Sequence, residues 1–234
     1  MAARDAWRAG FLVAAGLAEA ESESPTELQR NAQPIVLVQG FCASSLCLLP
    51  LETYLARALA RPIVRLRLGG RLAAQLGCIK SSATRVIQAI EELARMPGFR
   101  HVDVVGHSMG GLVATYALKR LDSRRRIRRV VTLGTPHRGT PLALAGALVF
   151  GAFSRAIWQM LPGSAFLREL EALPVPAGSE LVAVSAGGDA IVPGDMAHVT
   201  ERPRHRNATL ARLDHLGFLH QLESLAFIRS ALRA

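Results

Sequence analysis

Residues 106–111 read Gly-His-Ser-Met-Gly-Gly, behind an apolar run from His101 to Val105 and ahead of a helical pattern. Strand, tight turn and helix in that order are the setting in which G-x-S-x-G forms a nucleophile elbow. Gly106 and Gly110 carry no side chains, so the turn can be sharp and neighbouring backbone can approach closely. Ser108 is thereby lifted clear of the sheet. The helix that begins near Met109 points unpaired N–H groups at the centre where an oxyanion would form. A serine hydroxyl is a weak nucleophile until something positions it and takes its proton, so the motif demands partners elsewhere in the chain.

The order of elements says where to look. Strand patterns fall at Pro34–Gln39, Ile63–Leu68, the elbow strand, Ile127–Leu133, Leu181–Ser185 and Ala208–Leu213. Helical patterns fall at Ser45–Ala60, Ser81–Arg95, after the elbow, and at Leu216–Leu232. Such alternation predicts an α/β fold, a mostly parallel sheet flanked by helices. Its ligands bind outside the carboxyl ends of the strands. Residues 1–33 read as an N-terminal appendage, with a polar linker from Glu21 to Glu27, and 34–234 as one domain. Between two of the strands a long apolar excursion, 138–178, reads as a cap or lid.

Four aspartates follow Ser108. Asp122 ends the elbow helix, remote from the turn. Asp214 directly precedes a histidine, and adjacent side chains rarely face one another. Asp189 follows a strand and the pair Gly187-Gly188, which favours it over Asp195 as the orienting acid. Among the histidines, His137 precedes every plausible acid, His198 follows Asp189 too closely for a strand to intervene, His205 sits in a basic run before the last strand, and His220 falls within the final helix. His215 lies between the last strand and the last helix, where a mobile general base belongs. The oxyanion donors expected are the Met109 amide and, from the loop after the first strand, the Phe41 amide beside Gly40.

At this point the chain resembles bacterial lipases and esterases of the α/β-hydrolase superfamily. The matching residues are Val36–Phe41, Gly106–Val113, Leu133-Gly134-Thr135-Pro136-His137-Arg138-Gly139-Thr140, Asp189 with Val192-Pro193, and His215-Leu216-Gly217. The resemblance spans about residues 34–232 and implies the α/β-hydrolase fold and a serine hydrolase of apolar acyl esters. It differs at Gln39, where the family usually has histidine. The excursion holds Leu142, Phe150 and Trp158, which the same reading assigns to an apolar acyl pocket. An acyltransferase, thioesterase or amidase would use the same triad, and a binding module could reuse the fold.

Composition narrows the partners. The 234 residues are 50% hydrophobic and carry a net charge of +10, with only Lys80 and Lys119 as lysines. The densest basic stretch runs from Lys119 to Arg129 and reads as a solvated helix end. Aromatic residues make up 5% and do not interleave with the arginines, which argues against nucleic acid as a partner and leaves peripheral attraction to an anionic membrane surface open. Cys42, Cys47 and Cys78 show no metal spacing, so no metal and no cofactor is expected. The apolar stretch Ala9–Ala18 behind Arg4 and Arg8 fits an amphipathic helix better than a signal peptide.

Overall fold

The computed structural model describes residues 33–41, 43–59, 61–68, 77–150, 154–200 and 202–233. Apart from Gln33, the appendage expected at 1–33 lies outside the described residues, as does Cys42. Six strands form one sheet: β1 (Ile35–Val38), β2 (Ile63–Leu66), β3 (Val102–His107), β4 (Ile127–Leu133), β5 (Glu180–Ala186) and β6 (His205–Leu210). Their order is β2-β1-β3-β4-β5-β6, and every neighbouring pair is parallel. Parallel neighbours need crossovers. Helix α1 (Leu49–Leu59) joins β1 to β2, α2 (Ile79–Leu93) joins β2 to β3, and α3 (Met109–Tyr116) joins β3 to β4. Helices α4 (Leu142–Phe150), α5 (Arg155–Gln159) and α6 (Ala165–Ala172) lie between β4 and β5, and α7 (Leu222–Arg233) follows β6.

The central strands are buried on both faces because helices cover both. Ile35 and Leu37 pack with Leu51 and Leu55 of α1 and Ile228 of α7. Val36 and Val38 point the other way, to Val86 and Ile90 of α2 and Leu112 and Val113 of α3. Since β1 lies between β2 and β3, the winding reverses there, and a crevice opens at the carboxyl ends of β1 and β3. The turns that border it carry Phe41 and Ser108.

Two sequence expectations shift. The last strand is His205–Leu210, paired in register from Leu181↔His205 to Ala186↔Leu210, three residues earlier than its apolar pattern suggests. His205, Arg206 and Asn207 read as loop in sequence, but an edge strand tolerates polar side chains. The last helix begins at Leu222 rather than 216, after a 3-10 turn at Gly217–Leu219 that turns Phe218 into the core. His220 therefore stands between the turn and the helix. The excursion at 138–178 is partly core: Ile157, Met160, Phe166, Leu167 and Leu170 join the cluster that covers α2 and α3.

At the amino-terminal edge of the sheet, away from the crevice, the fully buried Asp103 holds two arginines. Arg61 Nη2 lies 2.7 Å and Arg128 Nη2 2.8 Å from its Oδ2, and Arg128 Nε donates to Oδ1 at 3.1 Å. Asp103→Ala leaves two facing guanidinium groups without a carboxylate and should lower the unfolding free energy by about 3 kcal/mol, measured by urea denaturation. An unchanged midpoint would contradict this account.

Candidate active site

Ser108 sits between β3 and α3 at φ 53° and ψ −130°, a conformation side chains rarely adopt. Its own backbone holds it there. Its N–H donates to Leu133 O at 2.8 Å, and its carbonyl accepts from Gly111 N at 3.0 Å and from Thr135 Oγ1 at 2.9 Å. The flanking glycines are steric requirements. A Cβ on Gly106 would come within 2.5 Å of Gly110 O, and one on Gly110 within 2.4 Å of Val38 O. The start of α3 is thus pressed onto the end of β1.

That contact brings the turn that carries Phe41 beside Ser108. A Cβ on Gly40 would lie 2.9 Å from Ser108 Cβ, so the Gln39–Phe41 turn rests against the serine. Met109 opens α3, and the first amides of a helix have no partner within it. Gln39, the departure from the resemblance, is buried and donates from Nε2 to Ala43 O at 3.2 Å. The glutamine side chain therefore braces the loop that carries Phe41.

Asp189 and His215 meet at the neighbouring strand ends. His215 Nδ1 lies 2.7 Å from Asp189 Oδ2. The other carboxylate oxygen, Oδ1, accepts from the amides of Ile191 at 2.9 Å and Val192 at 2.8 Å. Burial raises the Asp189 carboxyl. The His215 hydrogen bond and those two amides outweigh it, and the group titrates below its ordinary value. Such a carboxylate fixes the Nδ1–H tautomer of His215 and frees Nε2 to accept a proton. The Leu133–Gly134 corner links these parts: Leu133 O takes the Ser108 amide, and a Cβ on Gly134 would fall 3.0 Å from Asp189 Oδ2 and 3.1 Å from His215 Nδ1. Among the described residues Ser108 Oγ makes no hydrogen bond to His215, a contact that is often long before substrate binds.

The remaining sequence candidates have other work. Asp122 accepts from the amides of Arg126 and Ile127 at the start of β4. Asp195 is exposed and pairs with Arg138 at 3.3 Å. His137 Nε2 bonds Thr132 Oγ1, and His198 Nε2 bonds Ser185 Oγ. Leu142 and Trp158 are each 53% exposed, and the side chain of Phe150 lies outside the described residues. No group of three or more His, Cys, Asp or Glu among the described residues is placed to hold a metal ion.

Sequence reasoning missed His107. As the last residue of β3 it is buried, and its Nε2 donates to the His215 carbonyl at 2.8 Å. The two rings lie 4.7 Å apart, with Phe218 6.5 Å from His107. Burial, then the charge of His215, pushes the His107 pKa down to about 4, so the ring is neutral at ordinary pH. Its position inside the elbow motif was the available signal. Its partner is 108 residues away and could not be read from the motif.

Residues 68–208 match the PGAP1-like alpha/beta domain. The chain belongs to that family. The matched segment includes Ser108 and Asp189 and stops before His215. A search of curated proteins finds no match. The fold is that of the α/β-hydrolase lipases and esterases. Lipase B of Aspergillus fumigatus superposes with a TM-score of 0.71 at 18% identity over 92% of this chain and 55% of the lipase; the chain spans about half that enzyme's length. The mature lipase BlEst2 of Bacillus licheniformis gives 0.65 at 18% identity over 90% of this chain and 94% of that one. A lipase-esterase related protein of Clostridium acetobutylicum gives 0.59 at 14% identity, covering 87% and 95%.

Two variants test how this PGAP1-like domain holds its elbow. Thr135→Val keeps the shape but removes the donor to Ser108 O, and should cost about 1 kcal/mol in denaturant unfolding. The His107 pKa, about 4 when folded, is depressed from 6.5. Between those values the unfolded chain takes up a proton that the native ring refuses, so stability falls as pH drops through this window. His107→Gln can still donate but does not titrate, and its stability should fall less steeply from pH 6.5 to 4. Parallel slopes in the two proteins would refute a buried neutral His107.

Proposed function

We propose that this chain is a serine hydrolase of carboxylic esters with apolar acyl groups. The observation that carries the reading is the Asp189–His215 pair at 2.7 Å, set at the same sheet edge as a serine held at positive φ. In this mechanism His215 Nε2 takes the Ser108 proton as Oγ attacks the ester carbonyl. The Phe41 and Met109 amides receive the oxyanion, and Asp189 stabilises the imidazolium. Collapse of the tetrahedral intermediate breaks the ester bond, and the alcohol leaves with the proton from His215. Water, deprotonated by His215, then attacks the acyl-enzyme, and the acid leaves as Ser108 recovers its proton.

His107 acts as a positioning residue by anchoring the His215 carbonyl, and Gln39 supports the loop of Phe41. Exposed apolar side chains favour an acyl substrate: Leu216, beside His215, is 59% exposed, and Leu142 and Trp158 of the excursion are exposed too. Each methylene buried against such surface contributes about 0.8 kcal/mol. The lipases among the structural neighbours support the same direction.

A fluorophosphonate probe should label the folded chain, and Ser108→Ala should abolish labelling. On p-nitrophenyl esters, His215→Ala should lower kcat by about four orders of magnitude or more, and Asp189→Asn by about the same through the wrong imidazole tautomer. Folded wild-type protein that takes no probe would overturn the proposal.

A further inference from the structure

A second cluster of titratable side chains lies away from the crevice. Between the chain that follows α3, the loop after β4, helix α6 and the start of β6, a cavity of about 30 Å³ is lined by Lys119, His137, Glu171, His198, Arg202 and His205, among others. A cavity of this size, with charged groups in its walls, holds one small ion or a pair of waters. Its described walls hold little negative charge. Glu171 is the one carboxylate among the described lining residues, and its Oε1 already accepts from Thr200 Oγ1 at 2.6 Å.

Among the described residues two of its cations make no ion pair, and one of its imidazoles has an unpartnered nitrogen. Lys119 Nζ donates once, to Leu170 O at 3.2 Å, and makes no ion pair among the described residues. Two of its three N–H groups remain. Arg202 Nη1 donates to the Glu171 carbonyl at 3.2 Å, a neutral acceptor. His205 is buried at the start of β6, and its Nδ1 has no hydrogen-bond partner. The charge balance tells the same story. Burial and then Arg202 push Lys119 down to about 8, and burial, Lys119 and Arg202 push His205 down to about 4.

We infer that this cavity is a binding site for a small inorganic anion, held by the Lys119 ammonium, the Arg202 guanidinium and an Nδ1–H of His205. The anion supplies the missing acceptor for Lys119 and His205 and relieves the repulsion between Lys119 and Arg202. In doing so it ties α6 and Arg202 to the start of β6. The site is independent of the ester chemistry proposed above, since none of its residues enters that mechanism.

The test is thermal unfolding of the full chain in sodium chloride, sodium phosphate or sodium gluconate at equal ionic strength, gluconate being too bulky for the cavity. Chloride should raise Tm saturably, by about 3–5 °C at tenfold over its Kd. Phosphate raising Tm where chloride does not would assign the site to an oxyanion. Lys119→Met should remove the rise while the protein remains folded. If that variant does not fold, Arg202→Gln replaces it and should weaken the rise. No anion-specific rise in the wild type, or an equal rise in a folded variant, would overturn the inference and leave the cavity to water.

Discussion

A serine forced to positive φ is the constraint around which the other parts of the crevice are arranged. The conformation costs about 1–3 kcal/mol and persists only where its surroundings over-determine it. Here they do so through hydrogen bonds to Leu133, Gly111 and Thr135. Each reaches a different element: the end of β4, the first turn of α3 and the loop after β4. The close approach of Gly110 to Val38 and Gln39 then sets where the β1 loop runs. The Gly-Thr-Pro-His block, a family-like motif in sequence, has a physical role in this frame. Thr135 fastens the serine's carbonyl and fills the space over Gly111 that a larger residue there would need.

The electrostatics divide by location. In a chain of net charge +10, several arginines stand at the amino-terminal edge of the sheet, where carboxylates meet them. Asp103 takes Arg61 and Arg128, Glu180 takes Arg129 and Arg206, and Glu91 takes Arg124 and Arg126. Of the stretch from Lys119 to Arg129, expected as a solvated helix end, Arg120, Arg124 and Arg125 are exposed, while Arg126, Arg128 and Arg129 are built into the fold. Around the crevice and beneath the sheet the buried histidines are different. His107 and His205, both near 4, and His137, pushed to about 3 by burial and nearby cations, stay neutral because charging them would strand an imidazolium in a desolvated site. In the Asp189–His215 pair a carboxylate stands against the ring at 2.7 Å.

Much of this was legible in advance, for identifiable reasons. Strands β1, β3, β4 and β5 are near-continuous apolar runs, the signature of strands buried on both faces. The elbow is a local feature, dictated by two glycines around one serine, so it survives any tertiary context that lets the chain fold. Asp189 and His215 were found because a parallel sheet places ligands after strand ends. The misreadings occurred where side chains are polar and the element is fixed by its neighbours. Strand β6 begins at His205 because β5 offers it a ladder, and the chain after His215 turns through a 3-10 segment because Phe218 must reach the core.

By itself the sequence determined the order of strands and helices, the turn at Ser108 and which residues are chemically able to act. These follow from apolar periodicity and backbone sterics, which operate over a few residues. Only the tertiary structure decided which of those residues meet. Asp189 and His215 are 26 residues apart, and His107 and His215 are 108 apart. Hydrogen-bond partners and desolvation belong to the packed whole, so neither the brace on His215 nor the cationic cavity around Lys119 is written in any local pattern.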